Sequence, residues 1–426
     1  MREKLKIVLI VFLAISCRDN RLMYTLDSVS RENTTSNPQI NFYLETSLSM
    51  KGYVNTDVAG DYKLKDIVPY LITDLESKFS AIDLYTITDK PLKYTRNLSD
   101  FYNALRKGEI FTGKSSRLHQ IFQQMVEDVD SASVNIVISD CILDFGDEDN
   151  LAEGGLLTHG IYQKLGTEVS AAVYKYTSDF NGNWYYDRKN TGGLNSPDLP
   201  KPYENIILHN RPFYIWVIGR QENLKEIISS GIIKDYDDAH FYNIDYTDIP
   251  VHLLSHPRKG KIFINTEQQQ LTVNEVSKDR PILFTLGLDL STLPNSLRNT
   301  AYLSKIIHIS PAYLEQYATI EMFDEVSFTS VKNYEKVQGQ IYKNKLSHFI
   351  TISFTTLNEN DTHFKLDFSN KQPSWIKDSH LEDDYQKSTD SLEGRTFALN
   401  RITDAFEERY NDIQLMEIQF TLKTKQ

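Results

Sequence analysis

Two kinds of segment alternate between residues 39 and 235, and this alternation constrains the fold more than any other feature of the chain. Short apolar runs such as residues 133–139 (SVNIVIS) are typical of strands that are buried on both faces of a sheet. In the segments between them, as in residues 64–79, apolar side chains recur every three or four positions, which is the period of an amphipathic helix. This order predicts an α/β fold, with a doubly wound sheet that carries helices on both faces.

A carboxylate and two hydroxyls follow the first of these strands. In residues 39–50 (QINFYLETSLSM), the apolar strand leads into Glu45, Ser47 and Ser49, which occupy alternate positions. Asp140 directly follows the strand at residues 133–139. Ligands of open α/β sheets bind in the crevice at the C-terminal ends of the strands. We therefore expect Glu45 and Asp140 to lie at one edge of the sheet, in a binding site.

This pattern resembles the metal-ion-dependent adhesion site of von Willebrand factor A domains, which are Rossmann-like. The first element of that site reads Asp-x-Ser-x-Ser after a hydrophobic strand, and Glu45 stands here in place of the Asp. The family's Ser-Asp-Gly element is matched by Ser139 and Asp140, with Cys141 in place of the Gly. The family also places a Thr or Ser in the loop before the third helix, where this chain offers Thr112, Ser115 and Ser116.

The resemblance implies a divalent cation, Mg²⁺ or Mn²⁺, bound by oxygen atoms. Such a cation takes an octahedral shell of oxygen ligands and leaves one position open for a carboxylate of a protein or peptide partner. The ligands that the resemblance implies are Glu45, Ser47, Ser49, Thr112, Ser115 and Asp140.

Two alternatives remain open at this point. In the first, the domain is a metal-free scaffold of an envelope assembly, where Ser47 and Ser49 cap the turn and Asp140 caps a helix. In the second, a hydrolase uses Ser47, His119 and Asp140 at the strand ends, although the sequence has no Gly-x-Ser-x-Gly elbow.

The N-terminal residues have the pattern of a secretion signal. Basic residues at positions 2, 4 and 6 precede an apolar run at residues 7–15, which is too short to cross a hydrocarbon core of ~30 Å as a helix. The run ends in Leu-Ala-Ile-Ser-Cys, which resembles a bacterial lipobox and implies that Cys17 is lipid-modified. An ordinary signal peptide with an incidental cysteine is the alternative. We expect a lipid-anchored protein of the bacterial cell envelope, with the membrane as a partner.

The length and net charge of the chain limit the number of domains and the class of partner. A chain of 426 residues predicts more than one domain, and a net charge of -12 argues against a nucleic-acid partner. Residues 178–210, rich in Asn, Gly, Pro and Tyr, are predicted as a long loop. After residue 240, short strand-like runs alternate with polar turns and predict a β-rich, sandwich-like region. The predicted parts are a signal peptide (1–17), a tether (18–38), an α/β domain (39–238) and a β-rich domain (239–426) with a helix at 396–409.

Overall fold

The computed structural model describes residues 37–55, 64–79, 82–113, 117–143, 150–184, 203–234, 238–246, 249–357, 363–382, 389–411 and 413–421. Cys17, Ser115 and Ser116, which the sequence analysis singled out, lie outside these residues. Within them, no helix is long and apolar enough to cross a membrane.

A seven-stranded mixed sheet forms the centre of the N-terminal half, in the order β3-β2-β1-β4-β6-β5-β7. Its strands are β1 (Gln39–Glu45), β2 (Ile82–Ile87), β3 (Pro91–Lys93), β4 (Ser133–Ser139), β5 (Val169–Trp184), β6 (Tyr203–Arg220) and β7 (Ala239–Tyr242). β1 pairs in parallel with β2 and β4, and the other neighbours are antiparallel. The α/β class predicted from the sequence is confirmed. The sheet is mixed because β6 returns as a hairpin from β5 and inserts between β4 and β5.

Helices cover both faces of this sheet. They are α1 (Leu64–Lys78), α2 (Leu98–Arg106), α3 (Leu118–Glu127), α4 (Asn150–Lys164) and α5 (Gln221–Ser229). Side chains alternate along the strands, so that in β6 Ile215 packs in the core with α1, α2 and α5, whereas Trp216 packs in the core with α3 and α4. This two-faced burial accounts for the continuous hydrophobicity of the strands.

Residues 178–210 were predicted as a long loop, but the described residues of this segment, 178–184 and 203–210, are strand, so the prediction is wrong for them. β5 continues to Trp184 and β6 starts at Tyr203, with Phe180 opposite Leu208 across the pair. Both of these apolar side chains are buried, which explains why polar flanking residues did not prevent strand formation. We name the paired residues 178–184 and 203–211 the arm.

The region after residue 250 is rich in antiparallel strands, as the sequence predicted. One sheet has the order β13-β14-β11-β8, a second has the order β12-β15-β18, and two small sheets pair β9 with β10 and β16 with β17. The two larger sheets contact each other through aromatic rings, with 5.8 Å between the centroids of Phe284 and Phe420. The strands are β8 (Val251–Lys259), β9 (Lys261–Asn265), β10 (Gln270–Glu275), β11 (Ile282–Leu288), β12 (Ile307–Ser310), β13 (Ala318–Asp324), β14 (His348–Phe354), β15 (His363–Ser369), β16 (His380–Leu381), β17 (Thr396–Phe397) and β18 (Gln414–Thr421).

Five helices belong to the described part of this region, and the last two of them pack in one core with the first sheet. The five are α6 (Thr300–Ile306), α7 (Glu325–Phe328), α8 (Gln338–Asn344), α9 (Ser374–Asp378) and α10 (Leu399–Tyr410). α10 packs on α4, and the Tyr410 hydroxyl donates to the carbonyl of Gly166 at 2.7 Å. β7, directly after the boundary predicted at residue 238, pairs with β5 in the first sheet. The two regions therefore share a core, and independent folding of residues 39–238 stays a prediction.

Candidate strand-end site

The two carboxylates singled out in the sequence lie at the same edge of the sheet. Glu45 is the last residue of β1, and Asp140 directly follows β4, which pairs in parallel with β1. Both side chains are buried, with at most 1% of their surface exposed. A buried charge costs free energy unless it is hydrogen-bonded or paired, so the partners of each carboxylate define the chemistry of the site.

Glu45 accepts hydrogen bonds from the hydroxyl groups of two serines. The Ser47 hydroxyl donates to Oε1 at 2.6 Å, and the Ser139 hydroxyl donates to Oε2. The Oγ atoms of Ser47 and Ser49 lie 2.9 Å apart, which brings the second serine of the motif into the same network. The backbone N–H of Cys141 donates to Ser139 Oγ at 2.7 Å. Ser139 was not predicted as a site residue, although its place directly before Asp140 at the strand end was the available signal.

The loop that carries Thr112 reaches this network through its backbone. The N–H groups of Thr112 and Gly113 both donate to the carbonyl of Thr46 at 3.0 Å, and the N–H of Leu48 donates to the carbonyl of Gly113 at 2.8 Å. A Cβ atom on Gly113 would lie 2.8 Å from Thr88 Cγ2, so this close crossing requires glycine. Thr112 itself is exposed and lies at the rim of the site.

Asp140 is paired with a buried arginine from the arm. Arg211 Nη2 donates to Asp140 Oδ2 at 3.1 Å, and the N–H of Ile142 donates to Oδ1 at 3.2 Å. Arg211 is 1% exposed. Burial raises the pKa of Asp140, and the positive charge of Arg211 acts against that rise. The sequence analysis did not anticipate Arg211, because its position depends on the pairing of β6.

Aromatic rings enclose the Arg211 guanidinium. Its central carbon lies 3.9 Å from the ring centroid of Phe180, 4.4 Å from that of Trp184 and 5.2 Å from that of Tyr53. The Tyr53 hydroxyl donates to the carbonyl of Pro212 at 2.5 Å, and burial raises its pKa, so this ring is neutral. A cation at such distances from ring faces is attracted by their quadrupoles, and the effect grows when water is excluded.

The arm lies directly over the strand ends. β6 pairs with β4 only up to Tyr214, which is opposite Ser139, so the arm residues extend beyond the end of β4. The arm contacts the 3-10 helix Leu48–Tyr53 at a close backbone approach, where a Cβ on Gly182 would lie 2.8 Å from Gly52 Cα. A side chain at position 182 would therefore collide with the backbone of the 3-10 helix. The arm therefore closes the site from above.

The positive charge of Arg211 in this closed site counts against the divalent cation implied by the resemblance. The guanidinium of Arg211 already contacts the Asp140 carboxylate, and a dication beside it would be repelled. The Ser47 hydroxyl is directed to Glu45. In the described parts of the chain, no group of three or more His, Cys, Asp or Glu side chains has the geometry to hold a metal ion. The cation expected from the sequence stays a prediction, and it competes with Arg211.

Comparison with family models, with curated proteins and with solved structures finds no match to this chain. Its own residues and geometry are therefore the basis for assigning it a function.

Proposed function

We propose that this protein is anchored by lipid in the bacterial cell envelope and that its α/β domain binds a protein or peptide partner at the strand-end edge. The anchor is inferred from the lipobox-like residues that end at Cys17. The binding role is inferred from the α/β sheet, because ligands of such sheets bind where the strands end.

One observation carries the binding role, namely the concentration of buried polar groups at this edge. Glu45, Asp140 and Arg211 are all buried there and interact through hydroxyls and an ion pair. Replacing buried ion pairs with apolar groups is often neutral or stabilising, so such groups are weak evidence for stability. Their position at the end of β1 and β4 points instead to a role in positioning the loops around them for binding.

The rim of the site supplies the contact surface. Ser47 and Asp140, which the hydrolase alternative would use, are buried and closed to a substrate in this conformation, so a hydrolase is the less supported alternative. Thr112 is exposed in the loop that crosses to residues 46–48, and Ile207 is 64% exposed on the arm. One exposed hydroxyl and one exposed aliphatic side chain suit a partner segment that presents both polar and apolar groups.

Site-specific photo-crosslinking tests this proposal in intact cells. A photoreactive amino acid at position 112 or 207 of the full chain should give a discrete crosslinked product with another protein. Position 343, an exposed lysine in α8 of the β-rich region, serves as the matched control. The proposal is wrong if the rim positions give no product, or only the products that position 343 also gives.

A further inference from the structure

Arg211 is the cation that the structure places against the strand-end carboxylate of Asp140. Among the ion pairs between described residues, Arg211 and Asp140 form the pair in which both side chains are 1% exposed. A carboxylate buried to this degree needs an opposite charge or several hydrogen-bond donors nearby. Asp140 accepts from the backbone N–H of Ile142, from the hydroxyl of Ser49 and from Arg211, and the guanidinium is the positive charge among these donors.

The guanidinium is held in place by groups from three separate segments. Phe180 and Trp184 belong to β5, Tyr53 belongs to the 3-10 helix Leu48–Tyr53, and Asp140 follows β4. Arg211 Nη1 is buried and makes no hydrogen bond to any described residue. The buried charge of Arg211 is therefore stabilised by ring faces and by one carboxylate. A planar guanidinium suits both contacts at once, which an ammonium does not.

We propose that Arg211 is the built-in cation of this site, standing beside Asp140 where a divalent ion stands in the sites that the motif resembles. The closed site is consequently independent of metal. Since Arg211 belongs to the arm and Asp140 to the sheet, the same ion pair fastens the arm over the strand ends. This inference concerns the charge balance within the chain and does not depend on the identity or existence of a partner.

Thermal unfolding of the full chain in detergent tests whether Arg211 takes the place of a divalent metal ion. The wild-type melting temperature should be the same in EDTA as in millimolar Mg²⁺, Mn²⁺ or Ca²⁺, because a bound ion would stabilise the folded state by mass action. Arg211→Ala should melt roughly 5 °C lower, since it leaves a buried charge without its partner. Mn²⁺ should then raise the melting temperature of Arg211→Ala, because the buried carboxylate of Asp140 then has no positive charge beside it and attracts a cation.

Control variants separate this effect from general damage. Arg106→Ala, at an exposed position of α2, should neither lower the melting temperature nor create a response to Mn²⁺. Arg211→Lys keeps a positive charge and should remain indifferent to metal, and it provides a second test if Arg211→Ala does not fold. A wild-type protein stabilised by any of the three ions would overturn the proposal, and so would an Arg211→Ala protein that folds and ignores Mn²⁺.

A double-mutant cycle provides an independent measurement of the pair. Arg211→Met and Asp140→Asn should each lower the melting temperature, whereas the double variant should lose clearly less than the sum of the two losses, because neither charge is then left unpaired. Additive losses would show that Arg211 does not act through Asp140, and the proposal would fail. Because these measurements use the isolated protein, they can fail while the crosslinking experiment succeeds, and the reverse.

Discussion

The contact between the arm and the 3-10 helix predicts that Gly52→Ala weakens the packing of the arm on this helix. A Cβ atom at position 52 would lie 2.2 Å from Cε2, 2.3 Å from Cζ and 2.6 Å from Cδ2 of Phe180. Three ring atoms at these distances cannot be accommodated by small shifts, so the Phe180 ring must leave its place. That ring lies 3.9 Å from the Arg211 guanidinium, and its displacement therefore also weakens the charge balance of the site.

The magnitude follows from these two effects. Overpacking of a core contact costs about 1–3 kcal/mol, and a cation–π contact in a desolvated site is worth about 2 kcal/mol. We therefore expect Gly52→Ala to lower the free energy of unfolding by roughly 3–4 kcal/mol. The matched control is Gly155→Ala in α4, where a Cβ meets no atom within 4 Å. In a helix this change should stabilise the protein by about 1 kcal/mol.

Denaturant unfolding of the full chain measures both changes, and a second background identifies the cause. In a Phe180→Ala protein the ring is absent, so adding Gly52→Ala should change the free energy of unfolding by less than about 0.5 kcal/mol. The reasoning would be refuted if Gly52→Ala were as stable as the wild type. An equal loss with and without the Phe180 ring would refute it too, because the collision with that ring would then not be the cause.

Two further predictions concern the anchor and the connection between the two regions. Cys17→Ala should remove both the incorporation of labelled fatty acid and the membrane-bound fraction, whereas a variant still recovered in membranes would contradict lipidation at Cys17. Burial lowers the pKa of His240, and the carboxylate of Glu407 in α10, whose Oε2 lies 3.7 Å from His240 Nε2, acts against this shift. The unfolded state therefore binds the proton more readily than the folded state. The stability that is present above the ordinary pKa of about 6.5 is lost as the pH falls. His240→Gln should flatten the dependence of the melting temperature on pH between about 7 and 5.5, and an unchanged slope would mean that His240 does not carry it.

The parts of the fold that the sequence predicted are those encoded by short-range pattern. The continuous hydrophobicity of residues 133–139 predicted a buried strand, and β4 occupies the same residues. The amphipathic period of residues 64–79 likewise corresponds to α1, with Pro69 tolerated inside it. The position of Glu45 and Asp140 at one edge of the sheet was also predicted, because parallel neighbours bring their C-terminal ends to the same edge.

The parts that were missed depend on which strands pair across long stretches of chain. The sequence of residues 203–220 does not indicate that β6 lies between β4 and β5. It also does not indicate whether β6 is antiparallel or parallel to its neighbours. The arm was hidden for a related reason. Its polar composition is typical of a loop, while the three side chains that bury it, Phe180, Trp184 and Leu208, are too widely spaced to show a strand period beside its bulges.

Arg211 shows how pairing of this kind decides the chemistry of a motif. Glu45, Ser47 and Ser49 are brought together by one turn, and that turn provides oxygen atoms without specifying the cation that balances them. The cation is set by β6, since its register places Tyr214 opposite Ser139 and thus carries Arg211, three residues earlier, just past the end of β4. Asp140 and Arg211 are 71 positions apart in the chain, and only this register brings them to 3.1 Å. A shift of β6 by one residue would turn Arg211 to the opposite face of the arm and leave Asp140 to a metal ion or to protonation. The same strand-end motif is therefore compatible with a metal site or an arginine site, and the length and register of the neighbouring hairpin select between them.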